Sequence, residues 1–392
     1  RNIDFNSEAI LGKTKERNAM LKTLLEDFAK LDLRPSVLED EDIIGNAYRY
    51  MISLFASDAG KKGGEFFTPA EVSELLARLV KPQENDRIYD PTCGSGSLLI
   101  RVVRQVPSRK VAVYGQERNG QTHSLALMNM YLHGIDDAKI EWGDTLANPL
   151  HLEDGKLMKF QVIVANPPFS LDKWAMGFAG EGNTDEKFKM EASLDPHGRF
   201  AWGVPPASKG DYAFVLHILH SLAENGRAAV ILPHGVLFRG ASEAKIREEI
   251  IKHNLLDAVI GLPENLFFGT GIPACVMVFK KNRTRKEVLF IDASGEGNYE
   301  KGKNQNKLRE QDIQKIVETY EKYETVDKYS YVATIDEIKE NDYNLNIPRY
   351  VDTFEEEELV DMDAVKENIA NIKRELQEVE RQMEKYLEEL GL

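Results

Sequence analysis

With 392 residues, 42% of them hydrophobic and 29% charged, the chain has an ordinary globular composition that can fill two or three domains, and no run approaches the roughly 18 apolar residues of a membrane helix. Two cysteines, Cys93 and Cys275, are too few for a disulfide framework or a zinc site, and with no apolar signal core over residues 1–15 they point to the reducing cytoplasm. The net charge of -15 argues against a chain that grips duplex DNA unaided, since Lys and Arg are scattered apart from one modest cluster at 280–286, so either a positive face is local or a partner supplies the grip.

Residues 1–60 read as helical: Ile10, Met20, Leu21, Leu24, Leu25 and Phe28 recur at helical spacing, as do Ile43, Ile44, Tyr48, Met51, Ile52 and Phe55. The chain starts at Arg1 rather than methionine, which is consistent with a trimmed chain that has lost a preceding domain. A turn-rich break at 58–64 follows. Beyond it, short apolar strands alternate with helices. Helices are expected at 70–80, 97–105, 121–133, 212–222 and 241–253. Strands are expected at 87–89, 111–115, 140–142, 161–164, 228–232, 256–260 and 274–279. This alternation predicts an α/β fold, a mostly parallel sheet flanked by helices on both faces. Residues 171–208 break the pattern as a long Gly-, Asp- and Lys-rich loop, a length usually found in functional or mobile segments. His217 and His220 share a helix face without a third ligand nearby, so they read as core or surface histidines and not as a metal site. At the chain's end Met362, Val365, Ile369, Ile372, Leu376, Val379, Met383, Tyr386 and Leu390 recur in steps of three and four within a Glu-, Lys- and Arg-rich stretch. That heptad seam favours a partner coiled coil over packing on its own domain.

Two segments carry chemistry. Asp90-Pro91-Thr92-Cys93-Gly94-Ser95-Gly96 lies where the first strand feeds a helix, with glycines that let backbone approach a ligand and free N–H groups at the helix start. The next strand ends near Glu117, where an acid can hold ribose hydroxyls. A dinucleotide is the rival ligand, but Ser97, Leu98 and Leu99 follow Gly96, so the third glycine of that fingerprint is absent. A carboxylate at Asp90 repels pyrophosphate and suits the cationic amino-acid and sulfonium end of S-adenosylmethionine.

The second segment is Ala165-Asn166-Pro167-Pro168-Phe169, after an apolar strand. The prolines end the strand and fix the backbone, removing two N–H donors while keeping the carbonyls as acceptors. The Asn166 side-chain oxygen and the Pro167 carbonyl can each accept an N–H of an aromatic amine, drawing its nitrogen toward tetrahedral geometry and freeing its lone pair. Phe169 can stack on a base flipped out of a duplex.

With these motifs the chain resembles the N6-adenine DNA methyltransferases, above all the modification subunits of type I restriction-modification systems. Further matches are Glu65-Phe66-Phe67-Thr68-Pro69, Gly143-Asp144-Thr145-Leu146, 209–214, 263–267 with 270–273, and 344–350. Together, in this order, they are specific. The resemblance implies a Rossmann-like class I methyltransferase fold with an N-terminal helical segment and a C-terminal coiled-coil helix. It divides the chain into a helical region (1–62), a catalytic domain (63–295), its extension (296–352) and an assembly helix (353–392). It implies that Phe67 and Thr68, with Glu65, Phe66 and Pro69 beside them, line the methionine end of S-adenosylmethionine. Asp90, Thr92, Gly94, Ser95, Gly96 and Ser97 wrap that end, although Thr92 and Cys93 stand where smaller residues are commoner. Glu117 takes the ribose, and Asp144, Thr145 and Leu146 the cofactor's adenine. Asn166, Pro167, Pro168 and Phe169 hold the target base, and Asp211, Tyr212 and Phe214 line the pocket wall. The implied partners are duplex DNA, a separate specificity subunit docked on the heptad helix, a second modification subunit, and a restriction (translocase/nuclease) subunit. Two alternatives remain open at this point: a protein glutamine methyltransferase, which shares the Asn-Pro-Pro-aromatic motif, and a non-catalytic scaffold with a vestigial pocket.

Overall fold

A nine-stranded sheet organises the chain, in the order β11-β10-β8-β9-β7-β6-β1-β2-β3. Its strands are β1 (Arg87–Asp90), β2 (Ala112–Glu117), β3 (Lys139–Trp142), β6 (Phe160–Ala165), β7 (Leu222–Pro233), β8 (Leu256–Gly261), β9 (Ala274–Lys280), β10 (Val288–Asp292) and β11 (Ser330–Ala333), while β4 (Leu152–Glu153) and β5 (Lys156–Leu157) form a separate hairpin. Strands β3, β2, β1, β6 and β7 run parallel, whereas β9 is antiparallel to both neighbours and β11 to β10. This computed structural model describes residues 12–30, 68–180, 188–267, 271–303, 305–353 and 362–390. Among them no helix is long and apolar enough to cross a membrane.

The central strands β6, β8 and β9 are apolar and buried on both faces, as a sheet covered on both sides requires. Along β6 and β7 the side chains alternate between two cores. Val162, Val164, Ala229 and Ile231 face one that includes α2 (Ala70–Val80), α3 (Ser97–Arg104), α4 (Gly120–Leu132) and α7 (Glu310–Lys322). Ile163, Ala165, Ala228 and Val230 face the other, against α5 (Asp211–Ser221) and α6 (Ala241–Lys252). The α/β architecture expected from the alternating pattern is therefore present, and the expected helices and strands lie within a few residues of their observed bounds.

Three features depart from the sequence pattern. Strands β10 and β11, with α7 and the short α8 (Ile335–Glu340), extend the same sheet beyond residue 280. Strand β7 begins at Leu222, ahead of the expected 228, with a register irregularity opposite β6 between Leu222 and Arg227. Segment 171–208 is also less loop-like than its composition suggests, because its described parts bury Trp174, Met190 and Phe200 in the second core and bury Arg199 completely.

The chain forms two compact units, Arg1–Val351 and Asp352–Leu392. Of the N-terminal helical region, α1 (Thr14–Ala29) is observed, with Met20, Leu24 and Leu25 exposed; the second expected stretch, 43–55, lies outside the described residues. The last unit contains α9 (Met362–Leu390), on which Ile369, Ile372, Leu376, Val379, Met383 and Tyr386 are all exposed.

Candidate active site

Parallel strands place the loops after β1, β2, β3 and β6 along one edge of the sheet, the usual ligand crevice of an open α/β fold. A cavity of about 410 Å³ opens there, lined among others by Thr92, Glu117, Asp144, Thr145, Pro168 and Phe214.

Glu117 and Asp144 are the acids in its lining, and Asp90 lies behind them, next to the lining residue Pro91. Asp90 ends β1 only 2% exposed. Burial pushes its carboxyl up to about 7; the Thr92 N–H bond to Oδ1 (2.9 Å) opposes the shift and the neighbouring charge of Glu117 adds to it. Glu117 is likewise raised by burial, while its oxygens accept N–H bonds from Asn119 (2.7 Å) and Gly94 (3.1 Å). Among the described residues, no Lys or Arg pairs with either carboxyl. Two desolvated acids lacking a counter-cation suit a cationic ligand and disfavour pyrophosphate. The loop between them needs Gly96: its φ is 78°, and a Cβ there would stand 2.4 Å from Met130 Cε.

Asp144 lies at the third strand exit. Its Oδ1 accepts the N–H groups of Leu146 (3.0 Å) and Ala147 (3.2 Å), and Arg118 Nε stands 3.7 Å from Oδ2. Thr145 lines the cavity and bonds the Pro91 carbonyl at 2.6 Å. Leu146, 1% exposed, points its side chain into the second core, so its backbone alone belongs to this turn.

At the end of β6, Asn166 Nδ2 donates to Thr68 Oγ1 at 3.1 Å, while its Oδ1 receives no hydrogen bond from the described residues. Thr68, just ahead of α2, thereby orients the amide with its acceptor unspent. Pro167 is buried, Pro168 lines the cavity, and half-buried Phe169 meets the Phe267 ring edge-on at 5.8 Å and 72°. The backbone then turns through Ser170, whose φ is 51°, and the Ser170 N–H is captured by Asp211 Oδ1 at 2.7 Å. Arg239 pairs with both Asp211 (2.5 Å) and Glu243 (2.7 Å) behind this turn.

A family model described as N-6 DNA Methylase matches residues 39–359. The chain belongs to the N-6 DNA methylase family. It is 38% identical to the type I restriction enzyme MpnII methylase subunit of Mycoplasma pneumoniae, covering 94% of this chain and 68% of that one. It is 35% identical to the MjaVIII methylase subunit of Methanocaldococcus jannaschii, covering 96% and 64%. The chain thus spans about two thirds of the length of these relatives. Among solved structures it resembles the type I restriction-modification methyltransferase subunit of Streptococcus thermophilus, with a TM-score of 0.77, 38% identity, and coverage of 90% of this chain and 72% of that one.

The resemblance to this methylase family is therefore shown, but some expected site residues sit elsewhere than anticipated. Phe214 lines the cavity. Tyr212 does not: it is fully buried two residues earlier, on the opposite side of the helix, and its hydroxyl donates to the Val236 carbonyl at 2.9 Å. Asp211, 1% exposed, braces the turn after Phe169 rather than forming a wall. Ser95 and Ser97 pair with each other at 2.9 Å. Pro69 is buried beside Thr68, and Glu65, Phe66 and Phe67 lie outside the described residues. Sequence reading gave no role to Arg118, Leu171 or Phe267. The first two line the cavity, but an exposed Arg and a lone Leu give no sequence signal. The basic cluster belongs to the far end of the sheet, since antiparallel β9 pairs Ala274 with Pro233 near the site and Lys280 with Arg227 away from it. Within that cluster Lys280 and Arg283 are both spent on Asp257.

Proposed function

We propose that the chain methylates N6 of an adenine flipped out of duplex DNA, as the modification subunit of a type I restriction-modification complex. The observation that carries this reading is Asn166: an amide oriented by Thr68, with its oxygen unspent, on the prolyl turn that adjoins the acid-lined cavity. S-adenosylmethionine, when bound, supplies a methyl group activated by a positive sulfur. Asp90 would face its cationic end, Glu117 its ribose, and the turn at Asp144 its adenine, which fits a buried Asp90 and a half-buried Glu117 that have no Lys or Arg partner among the described residues.

The protein's task on the target side is to hold a weakly basic aromatic amine. Asn166 Oδ1 and the Pro167 carbonyl accept its two N–H groups and so weaken the conjugation of its lone pair with the ring. Phe169 offers aromatic surface to the extruded base, and buried Phe267 supports that ring edge-on. No strong base is required, because the amine's acidity rises once it is alkylated and its proton then passes to water.

The charge balance bears on the partners. A net charge of -15, with the basic cluster away from the crevice and engaged by Asp257, leaves much of the DNA grip to another subunit. The exposed apolar stripe of α9 suits docking to the helices of a separate specificity subunit, in an assembly with a second modification subunit and a restriction subunit. Labelled-methyl transfer to DNA, measured with and without the cognate specificity subunit, tests the reading. Label on N6 of adenine supports it; label on a protein, or none with the partner present, overturns it.

A further inference from the structure

We propose that residues 171–180 and 188–208 position the cofactor site, with Gly177 and Arg199 clamping the turn that carries Asp144. This rests on the reading that Asp144 faces S-adenosylmethionine.

Arg199 is fully buried, and its hydrogen bonds account for every N–H of its guanidinium. Nε and one Nη2 hydrogen go to Asp195, at 3.1 and 2.8 Å. The other Nη2 hydrogen goes to the Leu146 carbonyl (2.6 Å), and Nη1 serves the Thr145 carbonyl (3.3 Å) and His217 Nδ1 (3.1 Å). Asp195 alone would have sufficed to neutralise the buried charge. The donors spent on two consecutive carbonyls do something more specific.

The carbonyl of Thr145 and the N–H of Leu146 belong to one planar peptide unit; the carbonyl of Leu146 and the N–H of Ala147 belong to the next. Arg199 therefore grips by their oxygens the same two units that Asp144 Oδ1 grips by their nitrogens. Rotating either unit breaks a bond at both ends, so the guanidinium sets where the Asp144 carboxylate stands. The grip continues to β1. Because Arg199 can only donate, His217 accepts at Nδ1 and carries its proton on Nε2, which donates to the Tyr89 hydroxyl at 3.2 Å, one residue before Asp90.

The outer jaw is independent of this network. Exposed Gly177 lies in the short 3-10 turn Met176–Ala179, and a Cβ added there would stand 2.4 Å from Ala147 Cβ and 3.7 Å from Asp144 Oδ2. The turn at 144–147 is thus backed on two sides by one inserted segment.

Calorimetry with S-adenosylmethionine and thermal melting of the free chain test this, using R199K, the double variant D195L/R199M, and G177A. R199K keeps the charge but loses the planar fork; the double variant removes the buried ion pair altogether, a change that folds commonly tolerate. G177A presses on Ala147 from the surface. The expected result is S-adenosylmethionine binding weakened by about tenfold in the Arg199 variants and by several-fold in G177A, with melting temperatures near wild type. Binding within about twofold of wild type in any of these that folds overturns the proposal, and G177A decides if the Arg199 variants do not fold. D144A separates the two readings. If it binds like wild type, the assignment of Asp144 to the cofactor fails; if it alone binds weakly, only the clamp fails.

Discussion

The two halves of the crevice work by different physics. On the side of β1, β2 and β3, three carboxylates stand at strand ends, held by backbone N–H donors from Thr92, Gly94, Asn119, Leu146 and Ala147, and partly stripped of water. On the side of β6 the working groups are neutral: one amide, prolyl carbonyls and two rings. The acidic half can bind a cation by charge, at a cost in stability when empty. The neutral half can discriminate by hydrogen-bond pattern and stacking, and it has no proton to gain or lose near neutrality. Binding of the methyl donor should therefore respond to pH and to charge-changing substitutions, while handling of the target amine should respond to shape and acceptor placement.

The largest expected effect lies in the neutral half. Asn166→Ala should lower methyl transfer by about a hundredfold or more while S-adenosylmethionine binds almost as in wild type, as read by a labelled-methyl assay beside calorimetry. Near-normal turnover would remove the assigned role. Next in size is removal of the exposed helix. Deleting 365–392 should abolish capture of the specificity subunit in a pull-down and leave the circular dichroism melt of the remaining chain unchanged; undiminished capture would mean that the seam serves another purpose.

The acidic half should show the pH response. Asp90, raised to about 7 in the free chain, must be ionised to attract a cation, so S-adenosylmethionine affinity should weaken as pH falls through that value, and Asp90→Asn should bind about tenfold more weakly at pH 8 with a flat profile. Stability of the free chain should show the opposite trend. A folded-state pKa above the ordinary carboxyl value means that the folded chain binds the proton more tightly, so the stability present at low pH is lost as pH rises toward about 7. Asp90→Asn should remove that decline, and a variant that melts with the wild-type pH dependence would contradict the assigned burial cost. The smallest effect is expected at the second ring. Phe267→Leu keeps the apolar volume beside Phe169 but loses the edge-on ring that supports it, and should raise KM for DNA by about fivefold with little change in kcat.

Legibility in the sequence followed the range of the interactions involved. Strand periodicity, the glycine loop at 90–96 and the prolyl turn at 166–169 are local patterns, and each stands where the sequence places it, at the end of β1 or β6. Phe214 lines the cavity and Tyr212, two residues earlier, does not; the sequence did not separate them, because which way a helix faces is set by its neighbours. Segment 171–208 looked like a loop because its apolar anchors Trp174, Met190 and Phe200 are sparse and aperiodic, although they are buried. Strand β10 was passed over although Val288–Asp292 is a short apolar run of the buried kind, which by itself does not reveal its place beside β8.

The sequence by itself determined the chemistry on offer: acids after the first strands, an amide and two prolines after β6, and a polar helix with an apolar seam at the end. Only the tertiary structure decided how those groups are held. It set the Asn166 amide against Thr68, turned Asp211 from wall to brace, placed the basic cluster at the far end of the sheet, and brought Arg199 beneath two peptide units more than fifty positions earlier in the chain. The physical reason is that a turn or a strand is specified by its neighbours in sequence, whereas the direction of a side chain and the partner of a buried charge are specified by whatever the fold packs against them.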